Sequence, residues 1–198
     1  LFKYDSVHRR FNGTVETETN RMIINGHGIA MLTQRDPKLL PWADLDIDVV
    51  LESTGIFRTK DLASLHVEAG AERVVLSAPP RSEGIKSVVL GVNREILNGD
   101  EKIISNASCT TNSAAPLVHV MKKLGVIESC YITTVHSYTS DQRLHDAPHK
   151  DLRRARAAAE SIVPTTTGAA KAITKIFFAS IFTASFLYRG IFFPLKNN

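Results

Sequence analysis

The fold is decided where a short apolar strand gives way to a helix, at Ser105-Asn106-Ala107-Ser108-Cys109-Thr110-Thr111-Asn112. Ile103 and Ile104 before this stretch are typical of a buried strand. Apolar residues after it recur at helical spacing, at Leu117, Val120, Met121 and Leu124. The free N–H groups and the positive dipole end of a helix's first turn stabilise an anion. We therefore predict a lowered pKa for the Cys109 thiol. The alternative is a Ser and Thr helix cap beside an inert, buried cysteine.

A second stretch, residues 130–138, supplies a candidate base. Its β-branched and aromatic residues predict a strand. Period-two alternation then places His136 on the same face as Ile132 and Thr134. A histidine opposite a helix-capped cysteine can accept the thiol proton and remain as an imidazolium beside the thiolate. The sequence does not show that the two side chains meet, so a hydrogen-bonded structural histidine is the alternative.

Composition bounds the class of protein. The 198 residues are 43% hydrophobic and 22% charged, which is ordinary for one globular domain or parts of two. The net charge of +4 suits phosphorylated ligands but is too diffuse to predict nucleic acid binding. The two cysteines, Cys109 and Cys130, have no companions at metal-ligand spacing, so we expect a reducing compartment and no metal. No charged segment followed by an apolar run opens the chain, so we expect no secretory signal.

Strand and helix patterns alternate before the cysteine. Residues 46–52, 73–77 and 86–92 are predicted strands, and residues 60–70 form a predicted helix. This β-α-β order predicts a doubly wound α/β sheet, with Ser53-Thr54-Gly55 where a central parallel strand opens onto a ligand crevice. Nearer the start, Asn25-Gly26-His27-Gly28 predicts a hairpin turn between residues 22–24 and 29–32.

Several of these stretches resemble the phosphorylating glyceraldehyde-3-phosphate dehydrogenase family. Residues 105–112 are similar to its active-site signature, and residues 133–139 (Thr-Thr-Val-His-Ser-Tyr-Thr) to its catalytic-histidine strand. The other similar stretches are residues 1–8, 52–55, 151–159 and 164–172. Arg9 stands where the family usually has Gly. The match runs in one colinear order from Leu1 to about Phe177.

The resemblance implies two domains and a divergent end. Residues 1–108 would be a partial NAD-binding domain, a Rossmann-type sheet without its first strand and Gly-rich pyrophosphate turn. Residues 109–176 would begin an α+β catalytic domain that includes the family's S-shaped loop. Residues 177–198 hold six of the nine phenylalanines and depart from the family, so we expect a shifted reading frame or a damaged gene end there.

The resemblance also implies a reaction and a setting. The parent enzyme would be a cytoplasmic homotetramer of glycolysis. It would oxidise D-glyceraldehyde 3-phosphate with NAD and inorganic phosphate, through a cysteine thioester, to 1,3-bisphosphoglycerate. No nucleic acid or membrane partner is expected. Pro148 after Ala147 is the NAD-like choice, although NADP remains open. Two alternatives remain: an erythrose-4-phosphate dehydrogenase paralogue, and a non-enzymatic truncated remnant.

The site residues follow from the resemblance position by position. Cys109 and His136 would be catalytic, and Thr139 and Asp141 would bind the substrate phosphate. The residues that would hold inorganic phosphate are Ser108, Thr110, Arg154, Thr167 and Gly168. Those that would border NAD are Arg35, Thr54, Gly55 and Ser77. The residues alone also allow a structural interpretation. Arg153, Arg154 and Arg156 could form a solvated basic helix face, and residues 165–168 could be a helix cap. The four residues proposed to border NAD could be surface or turn residues.

Overall fold

A computed structural model describes residues 1–127, 129–177, 185–187 and 190–194. The first part of the chain is antiparallel. Strands β1 (Tyr4–Asp5) and β2 (Arg9–Arg10) pair with each other. Strands β3 (Val15–Glu18), β4 (Arg21–Ile24) and β5 (His27–Ala30) form a three-stranded sheet in that order. Asn25 and Gly26 join β4 to β5 with φ of 49° and 82°, the positive values that a two-residue hairpin turn needs. The predicted hairpin is confirmed, but its turn is shorter than predicted, because the second strand begins at His27 and ends at Ala30.

A four-stranded parallel sheet forms the centre of the chain. Its strands are β6 (Val49–Glu52), β7 (Arg73–Leu76), β8 (Lys86–Ser87) and β9 (Ile103–Ser105), in the order β6-β7-β9-β8. Helix α1 (Lys60–Glu68) packs against β7. A core of small and branched side chains lies between them: Val50, Ala63, Ala71, Val74, Leu76 and Ile85. The fold is therefore mixed α/β with a parallel sheet.

One face of β6, an edge strand of this sheet, is open in the described part of the chain. Val50 and Glu52 of β6 are buried, but Val49 and Leu51 on the opposite face are 53% and 65% exposed. A doubly wound sheet carries helices on both faces. The doubly wound arrangement therefore stays a prediction.

Two strands are shorter than the sequence pattern predicts. Residues 86–92 form a strand only over β8. The Val89 N–H donates to Asn93 Oδ1 at 2.8 Å, and Asn93 Nδ2 donates to the Ser87 carbonyl at 3.0 Å, which turns the chain. Residues 130–138 are likewise not one strand, because β10 (Ser129–Ile132) pairs with β12 (Gly190–Pro194) and the ladder ends at Ile132↔Ile191. His136 lies beyond this strand, so the alternation argument that placed its side chain was wrong.

The second half of the chain is built on two helices. Helix α2 (Cys109–Leu124) packs against α3 (Ala169–Ile176), and the His119 and Phe177 rings stack at a centroid distance of 6.4 Å. The buried positions of α2 are Thr111, Ala114, Ala115 and Val118. The helix was predicted correctly, but the apolar residues used to predict it lie on its exposed side, where Leu117 and Leu124 are 65% and 83% exposed.

The described part of the tail is paired strand. Strand β11 (Ser185–Leu187) pairs with β12, so the sheet order is β10-β12-β11. The rest of the divergent tail, residues 178–184, 188–189 and 195–198, lies outside the described residues. The reading-frame hypothesis therefore stays a prediction. Among the helices described, none combines the length and the apolar character that crossing a bilayer requires.

Gly70, after α1, gives a stability prediction. Its φ is +110°, and a Cβ there would lie 2.5 Å from Ala43 Cβ and 2.6 Å from Ala43 N. We expect Gly70→Ala to lower the free energy of unfolding by about 1–3 kcal/mol from the backbone conformation, and further from this overlap. Urea unfolding measures it. Gly99→Ala is the matched control, because Gly99 has φ +97° but no heavy atom within 4 Å of such a Cβ. Equal losses in the two variants would contradict the clash.

Candidate active site

The turn into α2 places Cys109 at the first helical position. Ser108 is the N-cap, and its Oγ accepts the Thr111 N–H at 3.1 Å. Ala107 is buried with a φ of +56°, a conformation that a side chain disfavours. The Ala107 N–H donates to Ser105 Oγ at 3.0 Å, and that hydroxyl donates to the Ala78 carbonyl at 2.9 Å. The turn is thus tied to the end of the neighbouring strand, and Cys109 is held at the carboxyl edge of the parallel sheet.

Cys109 and His136 meet. The Cys109 Sγ and His136 Nε2 atoms are 3.1 Å apart, although 27 positions separate the residues. His136 Nδ1 lies 2.6 Å from the Ser137 carbonyl oxygen. Because a carbonyl only accepts, Nδ1 carries a proton, and Nε2 of the neutral ring offers its lone pair to the thiol. This arrangement can transfer the thiol proton to the imidazole.

The electrostatics favour the charged forms of both groups. The hydrogen bond from His136 lowers the pKa of the Cys109 thiol; partial burial opposes this, and the Thr110 hydroxyl and backbone add to the lowering. The hydrogen bond to Cys109, followed by that to the Ser137 carbonyl, raises the pKa of His136. Cys130 shows the opposite behaviour, because burial raises the pKa of its thiol. Both pKa shifts therefore act in the direction of a thiolate–imidazolium pair.

Alkylation by iodoacetamide tests this pair. Only the thiolate reacts, so we expect the rate at Cys109 to rise with pH through a midpoint below about 8.5, the ordinary cysteine value. Cys130 should react more slowly and at higher pH, because its thiol is held protonated by burial. Mass spectrometry of each cysteine peptide across a pH series separates the two rates. A Cys109 midpoint at or above that of Cys130 would contradict the geometry.

A second cluster surrounds Arg154. Arg154 lies in a short 3-10 helix (Leu152–Ala155), and its guanidinium pairs with the Asp141 carboxylate and donates to Thr165 Oγ1 at 2.7 Å. Thr139 Oγ1 accepts the Asp141 N–H at 3.4 Å, and His149 Nε2 lies 4.0 Å from Asp141 Oδ1. Arg154 is therefore ion-paired rather than part of a solvated basic face.

The remaining phosphate candidates lie at the starts of two helices. Thr110 Oγ1 is 3.9 Å from Cys109 Sγ, and Ser108 caps the same helix. Gly168 is the N-cap residue of α3, and Thr167 Oγ1 accepts the Ala169 N–H at 3.2 Å. Hydroxyls and amides at helix starts suit phosphate oxygens. The structure places Asp141 against Arg154, with Thr139 bonded to the Asp141 backbone, and Ser108 and Thr110 beside Cys109.

The cofactor candidates lie at the ends of two neighbouring parallel strands. Thr54 and Gly55 follow β6, and Ser77, which follows β7, donates its N–H to the Glu52 carbonyl at 3.0 Å. Gly55 has a φ of +74°, and no heavy atom lies within 4 Å of the position of a Cβ. Strands β6, β7 and β9 run parallel, so these residues share the sheet edge from which Cys109 projects. Arg35 is exposed in the loop before the first 3-10 helix, Pro37–Leu39.

Sequence reasoning missed several residues that shape the site. The Ser137 carbonyl selects the His136 tautomer, and Ser105 ties down the cysteine turn. Glu52 is buried and accepts the Thr54 N–H at 2.7 Å. An acidic residue ending an apolar strand just before a turn was the available signal for Glu52. In the ranges that the structure describes, no three His, Cys, Asp or Glu side chains are grouped to hold a metal ion.

Comparison with known proteins gives two family matches. Residues 1–60 match the model of the "Glyceraldehyde 3-phosphate dehydrogenase, NAD binding domain". Residues 108–181 match that of the "Glyceraldehyde 3-phosphate dehydrogenase, C-terminal domain". Both agree with the resemblance drawn from the motifs.

Individual relatives are similar over nearly all of the chain. It is 54% identical to the glyceraldehyde-3-phosphate dehydrogenase of Thermotoga maritima over 177 residues, 89% of this chain and 53% of the relative. It is 55% identical to that of Mycoplasma pneumoniae over 174 residues, 87% of this chain and 51% of the relative. Glyceraldehyde-3-phosphate dehydrogenase 2 of Bacillus subtilis is 51% identical over 89% of this chain and 52% of its own length. The chain spans about half the length of these curated relatives.

Proposed function

Because the chain belongs to the glyceraldehyde-3-phosphate dehydrogenase family, we propose that it supports NAD-dependent oxidative phosphorylation of D-glyceraldehyde 3-phosphate to 1,3-bisphosphoglycerate. The observation that carries this proposal is the 3.1 Å contact between Cys109 Sγ and His136 Nε2 at the start of α2. It joins a nucleophile, a base and a helix terminus at one edge of a parallel sheet. Acyl transfer through a cysteine thioester needs these three groups together.

The proposed steps use the chain's own residues. The Cys109 thiolate adds to the aldehyde carbon, and the oxyanion takes the proton of the His136 imidazolium, giving a hemithioacetal. The neutral His136 then accepts the hydroxyl proton as a hydride leaves the same carbon, and a thioester remains. A phosphate oxygen attacks the thioester carbonyl, the C–S bond breaks, and the acyl phosphate leaves as the thiolate is restored. Amides of the first turn of α2 stabilise the oxyanions.

NAD, when bound, supplies the hydride acceptor. The edge after β6 and β7 fits it, because Thr54 and Ser77 are exposed there and Gly55 leaves open space on its Cβ side. We propose that Thr54, Gly55 and Ser77 border the nicotinamide end and that Arg35 lies toward the adenine end. NAD is the proposed cofactor, since Pro148 follows Ala147, with NADP as the alternative.

We propose a separate set of residues for each of the two phosphates. We propose that Thr139 and Asp141 belong to the substrate phosphate site. Inorganic phosphate would use Ser108, Thr110, Arg154, Thr167 and Gly168. Because the Arg154 guanidinium is paired with Asp141, an incoming phosphate competes with that carboxylate for the same fork of donors.

The wider organisation is also a proposal. Residues 1–108 would belong to a doubly wound NAD-binding domain, 109–176 to the catalytic domain, and 177–198 to a divergent tail. The assembly would be a homotetramer in the cytoplasm, a reducing compartment that suits the two free cysteines, Cys109 and Cys130.

Formation of NADH from the two candidate aldehydes tests the proposed function. Glyceraldehyde 3-phosphate with NAD should give NADH faster than erythrose 4-phosphate, and omission of phosphate should slow turnover. A preference for erythrose 4-phosphate would support the paralogue instead. Absence of NAD binding in a calorimetric titration would support a non-enzymatic chain.

A further inference from the structure

A buried carboxylate lies directly beneath the proposed cofactor turn. Glu52, the last residue of β6, is 3% exposed, and His66 of α1 is 4% exposed. The Glu52 Oε2 and His66 Nε2 atoms are 3.2 Å apart. Glu52 Oε1 accepts the Thr54 N–H at 2.7 Å and also the Thr54 hydroxyl. A buried carboxylate requires such donors, because desolvation without them is very unfavourable.

Trp42 determines which nitrogen of His66 carries the proton. The Trp42 Nε1–H donates to His66 Nδ1 at 3.1 Å. An indole N–H can only donate, so Nδ1 must offer a lone pair and the ring proton must lie on Nε2. His66 is therefore neutral and donates to Glu52. Among the ion pairs of the described residues, no Lys or Arg reaches Glu52, so hydrogen-bond donors alone stabilise its carboxylate.

This network determines whether the Thr54 hydroxyl donates or accepts a hydrogen bond at the surface. When Glu52 is ionised, its carboxylate can only accept hydrogen bonds, so the hydroxyl proton of Thr54 then points inward to Glu52. The Ile56 N–H donates to Thr54 Oγ1 at 3.1 Å and uses one lone pair. One lone pair is left on an exposed side chain. At this edge of the sheet, Thr54 can therefore accept a hydrogen bond from a ligand but cannot donate one.

We propose that Glu52 is a positioning residue that makes Thr54 an obligate hydrogen-bond acceptor, with Trp42 and neutral His66 holding the Glu52 carboxylate in place. The ligand group that Thr54 recognises must then be a donor, such as a ribose hydroxyl or a carboxamide NH₂. This inference rests on the proposed function in taking NAD as that ligand.

Two substitutions at His66 separate this role from ordinary packing. In His66→Gln, the side-chain NH₂ replaces Nε2 and can still donate to Glu52, but the acceptor for Trp42 is lost. In His66→Asn, the side-chain oxygen replaces Nδ1 and can still accept from Trp42, but the donor to Glu52 is lost. A packing role predicts similar losses in both variants.

Three measurements on the full chain read the two hydrogen bonds and the ligand separately. Hydrogen exchange at the Thr54 amide, by NMR, should be about 10-fold faster or more in His66→Asn and close to wild type in His66→Gln. Binding of NAD, by calorimetry, should weaken by about 10-fold or more in the Asn variant only, as expected for a hydrogen bond to a charged group. Fluorescence of Trp42, the single tryptophan, should shift in the Gln variant only.

Equal NAD affinities of the two folded His66 variants, or wild-type Thr54 exchange in His66→Asn, would overturn the inference. If His66→Asn does not fold, Glu52→Gln takes its place. The amide introduced by this substitution has one acceptor oxygen, which cannot serve both Thr54 and His66. Either the exchange rate of the Thr54 amide or the emission of Trp42 must therefore change. If neither changes, the proposed network is wrong. A wild-type chain that binds no NAD counts against the proposed function, and Thr54 exchange then decides the positioning role alone.

Discussion

Replacing Cys109 by serine is expected to abolish NADH formation from glyceraldehyde 3-phosphate. The His136 contact, the Thr110 hydroxyl and the Thr110 backbone all favour an anionic sulfur at the first position of α2. A serine hydroxyl at this position stays protonated near neutral pH and forms no thioester for phosphate to cleave. We expect the rate to fall roughly 10⁴-fold or more, as when a covalent nucleophile is removed.

The control for this variant is Cys130→Ser. Cys130 lies in β10, and burial raises the pKa of its thiol, so its loss should leave the rate unchanged. NAD affinity in Cys109→Ser should also stay close to wild type, because the proposed cofactor residues follow β6 and β7. A Cys109→Ser protein that retains a substantial part of the wild-type rate would exclude the thioester route.

Replacing His136 by asparagine is expected to lower the same rate by roughly 10²- to 10⁴-fold, the usual loss for a general base. Asparagine can keep a donor near the Ser137 carbonyl but has no group in place of Nε2 facing Cys109 Sγ. The thiol then loses the largest contribution to its lowered pKa. Iodoacetamide alkylation at Cys109 should accordingly move to higher pH, toward about 8.5.

The two readouts in His136→Asn report different roles. A shifted alkylation midpoint shows the loss of thiolate stabilisation, and a lowered rate at high pH, where the thiolate is fully formed, shows the loss of the base. His27→Asn, at an exposed position of β5, is the matched control and should change neither. An unchanged rate in His136→Asn would remove His136 from the proposed mechanism.

Local patterns predicted most of the elements near the site. The Asn25-Gly26 turn, the parallel strands β6, β7 and β9, and helices α1 and α2 follow from turn chemistry and from the spacing of apolar residues. The predictions failed where side chains interrupt a pattern. Asn93 ends β8 by binding the backbone of residues that the apolar run had suggested were strand. The end of the β10 ladder likewise leaves His136 in irregular backbone, which no alternation describes.

The basic run noted in the sequence is paired with acidic side chains in the folded chain. Arg153, Arg154 and Arg156 form a basic run in the sequence, but they pair with Asp151, Asp141 and Asp146 respectively. The acidic partner of Arg154 lies in the loop after His136, in the stretch assigned to the other phosphate. Sequence spacing alone could not show that these two sets of residues share an ion pair.

The sequence by itself determined that a cysteine stands where a parallel strand ends and a helix begins, because capping and apolar periodicity involve only neighbouring residues. Only the tertiary structure decided that Nε2 of His136 faces that sulfur, that Asp141 holds Arg154, and that Glu52 is buried against His66. Each of these contacts joins residues at least 13 positions apart in the sequence. Their geometry depends on how strands and helices pack, and not on any local preference of the chain.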